Sequence, residues 1–363
     1  MWLETLKLTD VRNIRTLEVE LSPGLNVFVG ENAQGKTTLL EAVGLIARGR
    51  SFRSADSRAM IRRGTLGLRA VARARTGAEP AELAVELDGA GRRFHVNGRP
   101  VTPREYRGRL EVAVYSSERL RLVQGGMRDR RSYLDRGAAA IWPSYHQALR
   151  SFERTLLQRN AALVRRAGDL PAWDERFSEL AGELRVRRSE YARRLTRALE
   201  VGFRPSGERY AVSTDPEPAN GNAAAERARI HDELQARRRD ELRAGRSLVG
   251  PHRDGVALTV EGHDAAQASS GQARSLLLAL TLAALDVYRE VHGAPAVALL
   301  DDLDSELDDT RGRAVCARFS ERGQALVTTA HPAWAGALPQ GARIFAVAAG
   351  EVRPASGGAP GRA

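Results

Sequence analysis

The stretch GENAQGKTT, residues 30–38, decides the fold of this chain. It matches the pattern G-x-x-x-x-G-K-[ST], in which glycines let backbone N–H groups curl around phosphate oxygens. A short apolar run, residues 25–29, precedes it, and a helical run, residues 36–47, follows it. A strand that leads through such a loop into a helix is the context that confirms the match. The sequence therefore predicts an α/β fold in which a parallel sheet carries a phosphate-binding loop.

The lysine of this loop is unusual for the chain. Of 56 Lys and Arg residues, only Lys7 and Lys36 are lysine, so chance would place lysine at a given basic position roughly one time in 28. Arginine's planar fork is too large for a loop wrapped around a phosphate, whereas an ammonium is a compact point charge. We expect Lys36 to reach the β- and γ-phosphates of ATP and Thr37 to place its hydroxyl on Mg²⁺. The loop residues expected to bind ATP are Gly30, Glu31, Asn32, Ala33, Gln34, Gly35, Lys36, Thr37 and Thr38.

Two carboxylates follow another apolar run. Residues 296–300 form a predicted buried strand, and Asp301 and Asp302 come directly after it. In a nucleotide-binding sheet, the first such carboxylate holds the Mg²⁺ shell, and the next orients or deprotonates the attacking water. We assign Asp301 to the metal and Asp302 to the water. Alone, an acidic strand end is equally consistent with helix capping, but the phosphate loop upstream favours the functional interpretation.

A third segment, ASSGQ at residues 268–272, stands directly before a predicted apolar helix at residues 275–287. Small polar residues at a helix start can bind anions, because the first backbone N–H groups point outward. The alternative is a simple N-cap formed by Ser269 or Ser270.

Composition limits the partners. The net charge of +11 over 363 residues favours a polyanion, either nucleic acid or a membrane surface, although an arginine-rich composition can also reflect genomic base bias. No run of 18 apolar residues is present, so we expect no transmembrane helix. The lone cysteine, Cys316, cannot form an internal disulfide, which is typical of a cytoplasmic protein.

The remaining pattern divides the chain. Alternating apolar residues predict strands, and leucines among Arg and Glu predict helices. We expect a half-buried strand at residues 16–21 and an antiparallel lobe beside the parallel sheet, built from residues 68–72, 84–87, 93–96 and 112–115. Further along we expect a helical hairpin over 126–203 broken at 168–171, an exposed loop at 213–223, a helix at 224–243, strand character at 247–260, a strand at 325–329 and an irregular tail from Gly350.

In their order along the chain, these pieces resemble the ABC-type ATPase heads of transporters, SMC proteins and RecF. Residues 268–272 resemble the ABC signature, residues 305–308 resemble the D-loop, and His331 is placed like the switch histidine. In such ATPases the signature of one subunit completes the γ-phosphate site of another, so the resemblance implies an ATP-sandwiched homodimer. The catalytic candidates are then Lys36, Ser269, Asp302 and His331, and Ser269, Gly271 and Gln272 join the nucleotide contacts.

Within that superfamily the chain is most similar to the RecF family, nearly end to end. The similarity is carried by residues 8–13, 49–53, 130–135 and 250–254. It implies an ATPase head at residues 1–125 and 245–363 with a helical lid at 126–244. It also implies ATP-dependent DNA binding in recombinational repair, replication restart and the SOS response, weak DNA-stimulated ATP hydrolysis, support of recombinase loading at gaps, and a RecR-type partner.

Some assignments stay open. Arg12 and Asn13 are candidates for contacts with the base or ribose, or are ordinary surface residues, and Arg53 is a candidate contact for ATP or DNA. No clear glutamine-loop is present; residues 116–118 occupy its region, and Gln124 is a weak candidate. The aspartate at position 302 stands where transporter heads carry glutamate, and a shorter carboxylate predicts slow hydrolysis.

Arginine pairs on the predicted lid helices suggest a DNA-binding surface. Helices with this much positive charge can follow phosphates without reading sequence, and the low aromatic content of 5% favours duplex binding over base stacking. The residues concerned are Arg165, Arg166, Arg187, Arg188, Arg193, Arg194, Arg237, Arg238 and Arg239. The main alternative is a transporter ATPase subunit; an SMC head is excluded because the chain has no room for a long coiled coil.

Overall fold

The structure is a computed structural model. It describes the chain apart from residues 55, 76, 78, 205–206, 219–220, 304–308, 332–337, 339–340 and 356–363. Backbone contacts divide the chain into two compact units. The first comprises Met1–Arg119 and Leu277–Ala363, and the second comprises Leu120–Leu276. The second unit contains all of residues 126–244, the predicted lid, and extends beyond it at both ends; the domain boundaries drawn from the sequence stay a prediction.

Strands dominate the first third of the chain, and long helices dominate its middle. The strands are β1 (Trp2–Val11), β2 (Ile14–Glu20), β3 (Leu25–Val29), β4 (Gly67–Arg75), β5 (Pro80–Asp88), β6 (Gly91–Val96), β7 (Arg99–Val101), β8 (Val112–Tyr115), β9 (Tyr210–Asp215), β10 (Gly255–Val260), β11 (His263–Asp264), β12 (Val297–Leu300), β13 (Ala325–Thr329), β14 (Arg343–Ala348) and β15 (Glu351–Pro354). The helices are α1 (Lys36–Arg48), α2 (Pro103–Tyr106), α3 (Arg121–Gln124), α4 (Met127–Ile141), α5 (Pro143–Arg165), α6 (Leu170–Val201), α7 (Ala223–Ala236), α8 (Arg238–Ala244), α9 (Ser270–His292) and α10 (Asp309–Ser320).

A largely parallel sheet forms the centre of the first unit. Its strand order is β15-β14-β3-β13-β12-β8, and only the β14–β15 pair is antiparallel. β12 and β13 are buried at every position, which is why they read as continuous apolar runs rather than alternating ones. The carboxyl ends of parallel strands meet at one edge, so the residues after β3, β12 and β13 lie close together. The predicted α/β fold class is confirmed.

The antiparallel lobe is a six-stranded sheet with the order β2-β1-β4-β5-β6-β7. The prediction for residues 112–115 was wrong in one respect. These residues form β8, which pairs in parallel with β12 at the edge of the other sheet. A four-residue apolar run carries no signal of which sheet it joins.

The second unit contains two of the long helices, α5 and α6. The predicted break is confirmed, because α5 ends at Arg165 and α6 begins at Leu170. A further break at Pro143 was missed; proline lacks the N–H that a continuous helix needs there. The remaining corrections concern element bounds. Residues 213–215 of the predicted loop belong to β9, and the predicted strand within 247–260 begins only at Gly255. Two helices that meet at Arg237 replace the predicted helix at 224–243, and Glu351–Pro354 of the predicted irregular tail forms β15. No described helix is both long enough and apolar enough to cross a lipid bilayer.

Candidate nucleotide-binding site

The loop between β3 and α1 needs glycine at two positions for steric reasons. A Cβ atom on Gly30 would lie 2.1 Å from the Val347 carbonyl oxygen. Gly35 has a φ of +113°, and a Cβ there would lie 2.9 Å from Nδ2 of Asn13. Any side chain at either position would push the loop off its support. The two glycines therefore keep the loop close to its neighbours and its N–H groups turned outward.

Lys36 lies beneath this loop. It is 4% exposed, and its ammonium donates hydrogen bonds to the carbonyl oxygens of Gly30 at 2.6 Å and Glu31 at 2.9 Å. An ammonium has three donors, so these two bonds fix its position while one N–H stays available for a phosphate oxygen. This is the placement that the sequence pattern predicts.

Thr37 and Asp301 meet although they are far apart in sequence. The Thr37 hydroxyl donates to Oδ1 of Asp301 at 2.9 Å, and the Thr328 hydroxyl donates to the same oxygen at 2.8 Å. Asp301 is 6% exposed. Its burial, together with the adjacent carboxylate of Asp302, raises the pKa of Asp301 to about 6, and the two hydroxyls and the charge of Arg53 offset only part of this rise. The buried carboxylate is therefore incompletely compensated.

These residues fit a magnesium–phosphate group. Mg²⁺ prefers oxygen ligands and is usually held by one or two protein groups plus substrate phosphates. Thr37 and Asp301 supply such oxygens. A third oxygen, the Ser116 hydroxyl, is buried and has no hydrogen-bond partner among the described residues. It follows Tyr115, whose carbonyl accepts the Asp301 N–H at 2.9 Å. Within the described part of the chain no cluster of three or more His, Cys, Asp or Glu could form an all-protein metal cage.

Asp302 begins to turn away from β12. Its φ of +49° lies in the left-handed region, which Asp tolerates better than most residues. Its N–H donates to the Thr328 hydroxyl at 2.8 Å, so Thr328 supports both aspartates. His331 follows β13, is exposed, and donates its N–H to the Thr329 hydroxyl at 3.0 Å. Residues 305–308, the predicted D-loop, lie outside the described residues.

Asn13 supports the loop from below, a role that the sequence did not reveal. Its amide Nδ2 donates to the Gln34 carbonyl at 3.0 Å, and its Oδ1 accepts from the Thr38 hydroxyl at 3.3 Å. Gln34 is held from the other side as well. Its side-chain oxygen accepts the Ala349 N–H at 2.6 Å, and its carbonyl accepts the Gly350 N–H at 2.9 Å. The loop is therefore fixed between Asn13 and the β14–β15 turn.

Asn13→Ala is expected to weaken ATP binding by about tenfold, because each lost hydrogen bond of this kind is worth about 1 kcal/mol. Isothermal titration with ATP and Mg²⁺ would measure the change. Asn97→Ala provides the control, because Asn97 is an exposed asparagine of the β6–β7 turn. Unchanged ATP affinity in Asn13→Ala would show that the loop keeps its shape without this support.

Arg12 forms an ion pair with the buried carboxylate of Glu41. Its Nε and Nη2 donate to the two carboxylate oxygens of Glu41 at 2.7 and 2.8 Å, and Glu41 is fully buried. The Ser51 hydroxyl also donates to Glu41 and accepts the Arg53 N–H at 3.0 Å. Glu41 was missed in the sequence, although it is the only charged residue in the buried stretch of α1 after Lys36. It joins the N-terminal hairpin to the segment that carries Arg53.

The Arg53 guanidinium lies near the carboxylates of the site. Its Nε donates to Glu118 at 2.8 Å. Burial lowers the pKa of Arg53, but the hydrogen bond to Glu118 and the carboxylates of Glu118, Glu41 and Asp301 outweigh this, so its pKa is raised. Gln124, the weak candidate for the glutamine-loop, is an exposed residue of α3 in the second unit.

The signature-like segment belongs to the second unit and begins α9. The Ser269 hydroxyl accepts the Gln272 N–H at 3.2 Å, and the Gln272 side-chain oxygen accepts the Ser269 N–H at 3.0 Å. This reciprocal arrangement is a capping box, so the N-cap interpretation is confirmed. Ser269 and Gly271 are exposed, and their predicted contact with a second subunit's nucleotide stays a prediction.

Two segments that carry the family resemblance, residues 130–135 and 250–254, form buried ionic contacts in the second unit. Arg130 is 1% exposed and donates to Asp264 at 2.8 Å. Arg185 is 2% exposed and donates to both carboxylate oxygens of Asp254 at 2.8 and 2.9 Å. Burial lowers the pKa of His252 to about 4.

The predicted DNA-contacting arginines differ in their surroundings. Arg188 is 3% exposed and bonds to Asp135 and to the Pro251 carbonyl, so its guanidinium has no surface for DNA and its prediction was wrong. Arg187 and Arg194 pair with Glu190, and Arg238 pairs with buried Asp174. The exposed members without an ion pair in the described part of the chain are Arg165, Arg166, Arg193, Arg237 and Arg239.

Comparisons with known proteins agree with this geometry. Residues 2–351 match the model of the family described as RecF/RecN/SMC N terminal domain. The DNA replication and repair protein RecF of Synechococcus sp. (strain JA-3-3Ab) is 34% identical over 99% of this chain and 100% of its own length. RecF of Symbiobacterium thermophilum is 36% identical over 97% of this chain and 98% of its own length.

Solved structures show the same fold. The recombination mediator protein RecF-ATPrS of the RecFOR pathway aligns with a TM-score of 0.86 at 25% identity, over 97% of this chain and 98% of its own. An Smc head bound to the C-winged helix domain of ScpA aligns with a TM-score of 0.55 at 14% identity, over 97% and 96%, which shows a shared fold alone. This chain belongs to the RecF family of DNA replication and repair proteins, within the SMC-like ABC-type ATPases.

Proposed function

We propose that this chain is an ATP-dependent DNA-binding protein of recombinational repair and replication restart, and that ATP binding joins two copies on DNA. The observation that carries the proposal is that Lys36, Thr37 and Asp301 lie at one edge of the sheet. The Thr37 hydroxyl lies 2.9 Å from Oδ1 of Asp301. Its relatives support it, because RecF structures have been solved with ATP and with ATPrS.

The chain's own residues divide the work at the nucleotide. Lys36 binds the β- and γ-phosphates, and Thr37 and Asp301 hold Mg²⁺, which neutralises phosphate charge when bound. Asp302 orients the attacking water. The short reach of Asp302 makes hydrolysis slow, and DNA stimulates it.

A second copy completes the site in this proposal. Ser269, Gly271 and Gln272 stand at the exposed start of α9, where backbone N–H groups favour an anion. They contact the γ-phosphate bound by the partner subunit, so ATP acts as the bridge between two subunits. Hydrolysis removes that bridge and releases the dimer.

DNA is bound mainly through its phosphates. The net charge of +11 and the exposed arginines of the second unit favour sequence-independent contacts. The solved RecF belongs to the RecFOR pathway, so we infer a RecR-type partner and a role in recombinase loading at gaps. The transporter alternative has no support, because relatives over nearly the full chain are DNA repair proteins.

Analytical sizing tests the proposal. With ATP, Mg²⁺ and a gapped duplex, the wild-type chain is expected to elute as a dimer on DNA, and with ADP as a monomer. Asp302→Asn is expected to bind ATP and to hold the dimer for at least about tenfold longer, because a positioned general base contributes 10²–10⁴-fold to rate. A chain that stays monomeric with ATP and DNA would contradict the switch. Fast turnover in Asp302→Asn would remove Asp302 from its role.

A further inference from the structure

Phe94 is the meeting point of three arginine-bearing segments in the first unit. α1 ends at Arg48, and Gly49 follows with a φ of +67°. A Cβ atom on Gly49 would lie 2.7 Å from Cζ of Phe94 and 3.6 Å from Cδ of Arg92. Glycine is needed at this position because the chain runs directly across the aromatic ring. The next residue, Arg50, is therefore delivered beside Arg92.

The third segment reaches the same ring through Tyr106. The Phe94 and Tyr106 rings are 4.7 Å apart between centroids, and Arg107 follows Tyr106 directly. Arg92 and Phe94 are two residues apart on β6 and thus share one face of the strand. Arg50, Arg92 and Arg107, which we name the Phe94 arginine cluster, are all exposed.

The positive charge of two members of the cluster, Arg50 and Arg92, is poorly compensated. Arg48, beside it, donates to Glu111 at 3.2 Å. Arg50 and Arg92, in contrast, form no ion pair with any described carboxylate. Burial lowers the pKa of Arg50, and the nearby guanidinium groups of Arg48, Arg92 and Arg107 lower it further. Like charges held together in this way favour an anion that relieves their repulsion.

The neighbouring arginine shows the usual alternative. Arg93 points to the other face of β6, where it donates to Glu86 at 3.3 Å and to Asp88 at 2.7 Å. Two adjacent exposed arginines on one strand therefore differ: carboxylates neutralise Arg93, whereas Arg92 lies beside Arg50 and pairs with no described carboxylate. The difference makes Arg93 a matched control for the cluster.

We propose that the Phe94 arginine cluster is a binding site for the phosphate groups of the DNA backbone. The proposal rests on the DNA-binding function proposed above and adds a site in the first unit to the arginines of the second. Phe94 is 9% exposed and Tyr106 is 3% exposed, so the surface offers guanidinium groups and no apolar pocket. Such a surface suits phosphates better than a peptide, because guanidinium forks match phosphate oxygens in pairs.

The test compares the double variant Arg50→Ala/Arg92→Ala with Arg93→Ala in the full chain. Fluorescence anisotropy with a labelled duplex, ATP and Mg²⁺ would measure DNA affinity over a range of salt concentrations. The double variant is expected to bind DNA about 10- to 100-fold more weakly at low salt. The slope of log affinity against log salt concentration should fall by about 2, because each lost phosphate contact lowers that slope by about 1. Arg93→Ala is expected to stay within about twofold of wild type, since its charge is already neutralised.

The controls separate folding, function and site. ATP affinity and melting temperature of the double variant should match wild type, and Arg50→Lys/Arg92→Lys, which retains the charge, should recover most DNA binding. Equal DNA affinity in the double variant and Arg93→Ala would overturn the cluster and leave the proposed function intact. Wild-type protein that fails to bind DNA would instead contradict the proposed function. Loss of binding to a polyglutamate probe with unchanged DNA binding would assign the cluster to an acidic protein and overturn the proposal.

Discussion

Lys36→Met is expected to lower ATP affinity by about 10- to 100-fold, since a charge-assisted contact to phosphate is worth about 1.5–3 kcal/mol. The ammonium is 4% exposed and fixed by two loop carbonyls, so the substitution removes a charge that the loop itself positions. Methionine fills similar space without the charge. Titration with a fluorescent ATP analogue would measure the affinity, and sizing should show that ATP no longer produces a dimer.

The chain offers an unusually clean control, because its other lysine has a different environment. Lys7 is 53% exposed in its side chain and pairs with Glu18 on the neighbouring strand. Lys7→Met should leave ATP affinity unchanged. Lys36→Arg is also expected to bind ATP weakly, because the planar fork does not fit beneath the loop. Normal ATP-driven dimers in Lys36→Met would refute the assigned role.

Asp301→Asn is expected to act in opposite directions on stability and on nucleotide binding. The pKa of Asp301 is raised from 3.8 to about 6, so the folded state binds its proton more tightly than the unfolded state. Its favourable contribution is complete below about pH 4 and is lost as the pH rises through about 6. At pH 7 to 8 the ionised carboxylate costs about 3 kcal/mol, and asparagine removes that cost while keeping an oxygen for Thr37 and Thr328.

The nucleotide-free Asp301→Asn protein should therefore melt at a higher temperature than wild type at pH 7.5, and the difference should shrink towards pH 4. ATP with Mg²⁺ should stabilise wild type and give little further stabilisation of the variant. Thermal melting across pH, with and without ATP and Mg²⁺, measures both effects. Asp302→Asn is the control, and its stability should change less because burial is the main cause of the Asp301 shift. A variant less stable than wild type throughout this range would show that the ionised Asp301 carboxylate is fully compensated, contrary to its raised pKa.

Much of the site could be predicted because its determinants are local. The spacing of Gly30, Gly35 and Lys36 fixes a loop before a helix, whatever surrounds it. Asp301 follows a strand that is apolar at every position, and an all-buried strand implies a parallel sheet whose carboxyl edge carries function. Family resemblance then supplied the dimer and DNA, which no single residue in this chain establishes.

Other features depend on segments that are distant in sequence. Its sequence pattern favours a surface position for Arg188, but the fold buries this residue beside Asp135. Asn13 looked like a surface amide, yet it supports the phosphate loop together with a turn more than 300 residues away, since Gln34 bonds Ala349 at a separation of 315. Residues 112–115 belong to the parallel sheet because they pair with β12, a strand that is distant in sequence.

The residues expected to bind a nucleotide could be predicted from local sequence, because glycine conformations, a helix start and strand burial are set within a few neighbouring residues. Which of the many arginines are neutralised depends on the fold, as Arg92 and Arg93 show at adjacent positions of β6. The physical reason is that a charge is compensated by whatever the fold brings within a few ångströms, and most of those partners come from elsewhere in the chain.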